Sequence, residues 1–305
     1  MKKTLSYIYV ILGAACWGFI GLFNRLLAQA GASVWSQVFI RNFLSLLLLT
    51  AVFALFHRQV FRIRARHLPL FAAAGLLSVL CLALTYFNCQ KLCSLAVAGT
   101  LLYLAPSFVV LMSALLWKAP LTRRKIAALL ISLLGCALVS GVVGGDLSAS
   151  AGGILLGIGA GFCYATYTIF AHYGLAHYDS YTMIYWTFVF AGIGSLAFLR
   201  PGELAAVLSV PKGALAAAGL VIVATVLPYI FYTKGLEGVD SGKASIIANV
   251  EPVVAALLGV LILHERLSLW IILGIVCVLG GVVLLAGEKK HGANDDKETC
   301  GTQQL

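Results

Sequence analysis

The sequence predicts an all-α membrane protein with ten transmembrane helices, built as two inverted five-helix repeats. Three observations carry this prediction: an extreme apolar composition, ten apolar runs of spanning length, and two halves that match at a nearly constant offset. Of the 305 residues, 61% are hydrophobic and only 10% are charged, whereas soluble domains carry about 25% charged residues. A bilayer accommodates that much apolar surface and a soluble core does not, so the chain is predicted to be membrane-embedded.

Ten segments are long enough to cross about 30 Å of hydrocarbon, which takes roughly 20 apolar residues. They fall at residues 6–28, 34–56, 68–90, 96–117, 124–142, 152–172, 181–199, 212–233, 242–263 and 268–287. The connections are short and contain turn residues such as Gly31, Pro120 and Pro201-Gly202. They leave no room for a separate soluble domain.

Lysine and arginine predict the orientation of the spans. Fifteen of the 21 Lys and Arg residues fall on the side that holds both termini, four fall on the other side, and Arg25 and Arg41 lie inside spans. The positive-inside rule then places both termini in the cytoplasm, including a polar tail at 289–305 that is predicted to be disordered. The plasma membrane is the expected location, because no organellar transit segment precedes the first span. Nucleic acid is not an expected partner, because the charge of +10 sits in short loops between apolar runs.

The two halves of the chain, 1–143 and 150–288, match each other in sequence. An offset of 147 aligns the first span with the sixth, and an offset of 146 aligns the later spans without a gap. Matches of aromatic, proline, glycine and hydroxyl residues carry this alignment: Trp17 with Tyr164, Ser33 with Ser180, Tyr86 with Tyr232, Pro106 with Pro252, Thr122 with Ser268, and Gly135 with Gly281. Because each half holds five spans, the second half must enter the membrane from the opposite side. Inverted repeats of this kind place a site near the midplane, where the halves meet.

Several short motifs resemble a known family. The first half carries Ala15-Cys16-Trp17-Gly18, Phe39-Ile40-Arg41-Asn42-Phe43 and Tyr103-Leu104-Ala105-Pro106, and the second carries Asn249-Val250-Glu251-Pro252 and Leu263-His264-Glu265-Arg266-Leu267. The chain resembles the drug/metabolite transporter superfamily in its EamA-like ten-helix branch. It departs from the family pattern at His264, which replaces the usual glycine of a Gly-Glu turn. The resemblance implies a secondary transporter.

Glu251 is the sharpest candidate for chemistry, because it falls about nine residues into the ninth predicted span. A charge at the bilayer centre costs roughly 2.5–3.5 kcal/mol on insertion scales. The carboxyl either caps a kink beside Pro252 or pairs with a cation, or it lines a cavity and binds a cationic substrate or a proton. The equivalent position in the first half is Ala105, so the repeat itself does not require an acid there. That difference favours a functional role.

Arg41 lies inside the second span and is predicted to be structural or ion-pairing, with direct substrate contact as the alternative. Arg25 lies nearer a helix end and is predicted to snorkel toward water. Pro106 and Pro252 occupy equivalent positions in the two halves. Proline breaks the helical hydrogen-bond ladder, so both residues are predicted hinges, and static kinks are the alternative.

Aromatic residues deep inside the spans predict the walls of a cavity. Its predicted substrate-binding residues are Trp17, Tyr86, Tyr103, Tyr164, Tyr232, Asn249 and Glu251. Aromatic walls with one carboxylate suit an amine through cation–π contacts. They also suit aromatic amino acids or nucleobases through stacking.

The predicted function is alternating-access transport of a small organic metabolite, either an amino acid, an amine or a nucleobase-like solute. Coupling to protons through Glu251 stays open, as do the direction of transport and the oligomeric state, a homodimer included. A channel or uncoupled facilitator is the main alternative, although the spans carry isolated polar residues and no continuous polar stripe. An intramembrane enzyme is less favoured, because no His and acid pattern inside a span has metal-ligand spacing. No cofactor and no metal are expected.

Overall fold

A computed structural model describes residues 2–143, 147–263 and 268–286 of the chain. Within these residues the fold is almost entirely helical, and eight helices are long and apolar enough to cross a membrane. Two shorter helices, Arg123–Val139 and the apolar Leu269–Ala286, complete the ten predicted spans as the fifth and tenth. The predicted turn at His264-Glu265 and the predicted tail at 289–305 lie outside the described residues.

Each span of the first half follows its predicted segment, but four of the five combine two or more helical pieces. The first consists of Lys2–Trp17 and Ile20–Gln29, and the second of Val34–Phe39, Ile40–Leu44 and Ser45–Phe56. The third consists of Leu68–Gly75, Leu76–Cys81 and Leu82–Leu92. The fourth consists of Leu95–Leu102 and Ala105–Trp117, and the fifth is Arg123–Val139.

The second half has the same order of spans with one additional short helix. The sixth span is Ala151–Leu175, the seventh is Ser180–Ser195, and the eighth consists of Pro211–Val221, Ile222–Val226 and Leu227–Leu236. The ninth consists of Ser241–Ile247 and Val250–Leu263, and the tenth is Leu269–Ala286. Pro201-Gly202, predicted as a turn, instead begins the short helix Pro201–Ser209. Proline suits the first turn of a helix, where its missing N–H has no partner to lose.

Most spans begin at a residue whose side chain satisfies an orphan backbone N–H of the first helical turn. In each case the side-chain oxygen accepts a hydrogen bond from the backbone N–H of the residue three positions later. The capping residues are Ser33, Ser94, Thr122, Ser150, Asp179 and Asp240. Ser, Thr and Asp are favoured at this position for that reason. The short loops therefore encode where the helices start.

Loop contacts define one end of the bundle, here called the basic side because it carries Arg58 to Arg66 and Arg123 to Lys125. The loop between the second and third spans reaches the loop between the sixth and seventh. The backbone N–H of Arg64 donates to the Tyr178 hydroxyl at 3.0 Å, and that hydroxyl lies 2.7 Å from Nδ1 of His67. Loops that follow even-numbered spans thus meet at this end.

The other end, here called the opposite side, brings different loops together. The backbone N–H of Ser94 donates to the carbonyl of Ser148 at 2.9 Å, and the ring of Trp35 stacks on Phe198 at 5.3 Å. The loop between the second and third spans lies on the basic side, whereas its counterpart at 199–210 lies on the opposite side. The two halves are therefore inverted relative to each other.

Helix irregularities recur between the halves within one residue of the offset of the sequence repeat. The fourth span breaks at 103–104 and the ninth at 248–249. A π-helical turn at Leu76–Cys81 in the third span has its counterpart at Ile222–Val226 in the eighth. The two halves therefore share irregularities of backbone conformation as well as similar sequences.

Glycines bring the fifth and tenth spans into backbone contact. A Cβ on Gly135 would lie 2.7 Å from the Gly274 carbonyl oxygen, and a Cβ on Gly274 would lie 2.8 Å from the Gly135 carbonyl oxygen. Gly281 is the repeat equivalent of Gly135, and a Cβ on Gly281 would lie 3.0 Å from the Ala128 carbonyl oxygen. Small residues at helix contacts allow such approach in a membrane, where apolar burial supplies little driving force.

Replacing Gly135 by alanine is expected to destabilise the protein by about 1–3 kcal/mol, because the new methyl group forces the two spans apart. Thermal unfolding of the purified protein in detergent measures the effect. Gly280→Ala on the same tenth span is the matched control, because its Cβ would meet nothing within 4 Å. Equal melting temperatures for the two variants would contradict the proposed close packing.

Glu203 ties the short helix of the second half to the second span. Its carboxylate accepts hydrogen bonds from the Ser33 backbone N–H at 3.0 Å and the Ser36 hydroxyl at 2.6 Å. These hydrogen bonds lower the pKa of the Glu203 carboxyl from its ordinary 4.5 to about 2. Charged hydrogen bonds to a helix start favour the ionised acid.

The depressed pKa predicts a pH-dependent contribution to stability. Glu203 stabilises the fold above its unfolded pKa of about 4.5, and the contribution is lost as pH falls from 4.5 toward 2. We expect Glu203→Gln to lower the melting temperature at pH 7, and the difference from the wild type to shrink as pH falls below 4.5. A difference that stays constant between pH 7 and pH 3 would show that the carboxylate charge is not involved.

Candidate functional site

A cavity of about 580 Å³ extends from the middle of the bundle toward the opposite side. Its walls come from the first, second, third, fourth, sixth, eighth and ninth spans. The residues nearest the opposite side are Ala28, Val34 and Gln90, and the residues nearest the middle include Trp17, Tyr103, Tyr164, Tyr229 and Glu251. The pocket is therefore one-sided: it reaches the midplane and stops there.

The floor of the cavity is formed by Glu251 and the aromatic rings around it. The Tyr164 hydroxyl donates a hydrogen bond to the Glu251 carboxylate at 2.8 Å. The Trp17 ring meets Tyr164 edge-on at 5.9 Å and Tyr229 edge-on at 5.5 Å. Trp17 and Tyr164 are repeat equivalents, and their contact places them where the two halves meet.

The break in the ninth span sets the position of Glu251. Asn249 and Glu251 donate their backbone N–H groups to Ile246 and Ala248, at 3.2 and 2.9 Å, in place of the regular helical partners. Glu251 consequently lies in the first turn of Val250–Leu263, where the positive end of the helix dipole favours a negative charge. Ten residues of the span, the break included, precede it, so it lies about 15 Å from the basic end of the span.

A glycine in the first span allows this close arrangement. A Cβ on Gly18 would lie 2.7 Å from the Val254 side chain and 3.0 Å from the Glu251 carbonyl. The first span is interrupted at this point, between Trp17 and Ile20. The break and the missing side chain bring Trp17 onto the cavity floor.

Five of the seven predicted substrate-binding residues line the cavity: Trp17, Tyr86, Tyr103, Tyr164 and Glu251. Tyr232 and Asn249 do not. They line a second, much smaller void of about 20 Å³ that lies on the basic side of Glu251 and shares Tyr103, Tyr164 and Glu251 with the cavity. The Tyr232 hydroxyl lies 2.9 Å from the Thr168 hydroxyl, and Asn249 is 2% exposed.

The predicted hinge prolines both follow breaks in their spans. Pro106 lines the small void, and both Pro106 and Pro252 lie three residues beyond a break in their spans, at Tyr103 and Asn249. Each proline thus falls in the first turn of the helical piece that follows a break, where it costs no hydrogen bond. The breaks are built into both halves, and their role as moving hinges stays a prediction.

The cavity wall also contains polar residues that the sequence analysis did not assign to it. These are Asn24, Arg25, Gln37, Gln90 and Tyr229, together with Arg41, for which a structural role was predicted. A signal for some of them was present in the sequence, because Gln37 and Arg41, and Tyr86 and Gln90, are each four residues apart and share a helix face. Only the structure shows that these faces converge.

Packed side chains and an ion pair close the basic side of the small void. Ser245, on the wall of the void, donates to the Gly242 carbonyl at 2.9 Å. A Cβ on Gly242 would lie 3.2 Å from Nζ of Lys125 and 3.3 Å from the Asp240 carboxylate. Lys125 and Asp240 themselves pair at 2.7 Å. The ion pair therefore joins the two halves about one helical turn beyond the void.

A deep aromatic and polar cavity that ends halfway across a bundle of apolar spans defines a membrane transporter. Residues 4–141 and 151–287 match the EamA-like transporter family, and the chain belongs to that family. The drug/metabolite transporter fold and the ten-span prediction are thereby confirmed. Among residues 2–143, 147–263 and 268–286, no group of three or more His, Cys, Asp or Glu side chains could hold a metal ion.

Similar proteins agree with this assignment along nearly the whole chain. The chain is 28% identical to an uncharacterized inner membrane transporter, YicL, of Salmonella typhimurium, over 93% of this chain and 96% of the relative. It is 28% identical to an uncharacterized transporter of Archaeoglobus fulgidus, over 90% and 94% of the two chains. A solved crystal structure with 18% identity superposes with a TM-score of 0.77, covering 92% of this chain and 96% of the other, and shows the same fold.

Proposed function

We propose that this protein is a secondary transporter that moves a small organic metabolite across the plasma membrane by alternating access. The metabolite is an amino acid, an amine or a nucleobase-like solute. The observation that carries the proposal is the pair of spaces on the two sides of Glu251, an open cavity of about 580 Å³ and a closed void of about 20 Å³.

The repeat relates these two spaces. An offset of 146 carries Tyr86 of the cavity onto Tyr232 of the void, and Tyr103 onto Asn249. Two similar halves of opposite orientation can exchange conformations at comparable energy. In the exchanged state the void would open and the cavity would close, with Glu251 accessible in both states.

The orientation follows from the distribution of charge. The basic side carries most of the Lys and Arg residues and is assigned to the cytoplasm, together with both termini. The cavity then faces the exterior. The plasma-membrane assignment is supported by the relative YicL, which is named as an inner membrane transporter.

Proton coupling through Glu251 is part of this proposal. The carboxyl is the acid on the cavity wall, and it already accepts a hydrogen bond from Tyr164. A proton on Glu251 would remove its charge and change its affinity for a cationic group of the solute. An uncoupled channel agrees less well with the structure, because the space on the basic side of Glu251 is a void of only about 20 Å³.

A flux screen in proteoliposomes tests the function. Purified protein is reconstituted and supplied with labelled amino acids, amines and nucleobases, with and without an imposed pH gradient. We expect saturable flux of one of these classes, stimulated by the gradient, and none in protein-free liposomes. Saturable flux that ignores the gradient would overturn coupling, and non-saturable flux of many unrelated solutes would favour a channel.

A further inference from the structure

The cavity contains a cationic side chain as well as the acid. Arg41 lines the same space as Glu251, and its Nε atom is buried without a hydrogen-bond partner. A buried donor left unpaired is energetically costly, and more so when the group is charged. The guanidinium is therefore incompletely satisfied in a space that is large enough for a solute.

The backbone at Arg41 is irregular in a way that the repeat does not require. Arg41 lies in a π-helical turn, Ile40–Leu44. The other two π-helical turns of the spans occur as a repeat-related pair, whereas the position equivalent to Arg41 is Phe188, within the regular helix Ser180–Ser195. π-turns are frequent at functional sites. Both the turn and the charge therefore belong to the first half alone.

Amide side chains line the same cavity as Arg41. Asn24, Gln37 and Gln90 line it, and each can donate hydrogen bonds. A guanidinium presents a planar fork of N–H groups that matches the two oxygens of a carboxylate or phosphate. An amine, by contrast, would meet like charge at Arg41 before it reached Glu251.

We propose that Arg41 is the centre of an oxyanion-binding subsite, so that the transported solute carries a carboxylate or another oxyanion. A solute whose only charge is positive is excluded. The statement about transport rests on the proposed function, but the subsite itself does not. The subsite narrows the solute classes above to those with an acidic group, with Glu251 left for a second, positively charged or protonated group.

A cysteine on the cavity wall tests the local charge without knowledge of the solute. Gly21 lines the cavity, and a Cβ there would meet nothing within 4 Å. Gly21→Cys is reacted with two thiosulfonate reagents, one carrying a sulfonate and one a trimethylammonium group. We expect Arg41→Met to lower the ratio of anionic to cationic reaction rates about fivefold, because each rate responds to the lost charge in the opposite direction.

Three further variants make the result decisive. Gly202 lies outside the cavity, and a Cβ there also meets nothing within 4 Å. The ratio of anionic to cationic reaction rates at Gly202→Cys should therefore be the same with and without Arg41→Met, which controls for effects of the substitution away from the cavity. Arg41→Lys on the Gly21→Cys background retains the charge and should also keep the ratio. Glu251→Gln should raise it. An unchanged ratio in Arg41→Met, with the protein monodisperse in detergent, overturns the subsite.

Competition between matched solutes then tests the chemistry of the oxyanion. The probes 3-phenylpropanoate, phenyl phosphate and phenethylamine share a phenyl group and differ in their charged group. We expect one of the two anions, and not the amine, to slow the reaction of Gly21→Cys at millimolar concentration, and Arg41→Lys to weaken that protection about tenfold through loss of the planar fork. Protection by the carboxylate or by the phosphate identifies the oxyanion. Protection by the amine alone overturns the proposal, even if the protein transports solutes.

Discussion

Replacing Glu251 by glutamine is expected to reduce solute flux about 10- to 100-fold and to abolish the effect of a pH gradient. Glutamine keeps the size of the side chain and can still accept a hydrogen bond from Tyr164. It removes the negative charge and the protonation step. A hydrogen bond between the carboxylate and a positively charged group of the solute would contribute about 1.5–3 kcal/mol, and its loss corresponds to the expected loss in rate. Initial rates of uptake into proteoliposomes, with and without the gradient, measure both effects.

The Tyr164→Phe variant separates the carboxylate from its partner. It removes the hydroxyl that donates to Glu251 but leaves the acid and the aromatic wall in place. A loss of about 1 kcal/mol, or roughly fivefold in flux, is expected, with the response to the gradient retained. Full gradient-driven flux in Glu251→Gln would show that coupling does not pass through this carboxyl.

Removing the charge of Asp240 is expected to open the basic side of the pathway. Lys125 is 3% exposed and Asp240 is 32% exposed, and their ion pair links the fifth span to the start of the ninth. Asp240→Asn keeps an N-cap residue, so the helix start is preserved while the buried ammonium loses its counter-charge. In the proposed exchange of conformations Lys125 and Asp240 separate as the void opens, and the variant weakens the contact that holds them together.

Cysteine accessibility measures the opening. Ser245→Cys is close in size to the native residue and lies on the wall of the void. In inside-out vesicles its reaction with a membrane-impermeant maleimide is expected to be about tenfold faster in Asp240→Asn. Tenfold corresponds to about 1.4 kcal/mol, between the values for exposed and fully buried ion pairs.

The exchanged pair provides the control. Lys125→Asp combined with Asp240→Lys restores opposite charges in the same place and should return labelling toward the wild-type rate. A rate that is the same in the wild type, Asp240→Asn and the exchanged pair would contradict a role for the ion pair in closing the basic side. With the native ion pair in place, we expect Ser245→Cys to be labelled slowly. We expect Gly21→Cys to be labelled rapidly from the other side of the membrane.

The predicted spans agree closely with the observed helices, because hydrophobic length and capping residues act locally. Ser33 and Asp240, for example, stand where helices begin and satisfy the first backbone N–H groups. The error at Pro201-Gly202 has the same local origin, since proline followed by glycine is typical of turns and also suits the first turn of a helix.

The candidate site was predictable in part for an equally physical reason. Glu251 and the deep aromatics stand out because polar groups are costly in lipid, and the repeat shows that Glu251 has no counterpart at Ala105. Tyr232 and Asn249 were predicted to line one cavity with Tyr86, and in this structure they line the smaller void instead. Their contact with a substrate stays a prediction.

The sequence by itself determined the membrane class, the ten spans, the inverted halves and the one acid at mid-depth, because these depend on local hydropathy and on comparison of the chain with itself. Only the tertiary structure decided which helix faces converge, which side of Glu251 is open, that Arg41 shares its cavity, and that Lys125 meets Asp240. These features depend on side chains that lie far apart in the chain and that only the packing of the helices brings together.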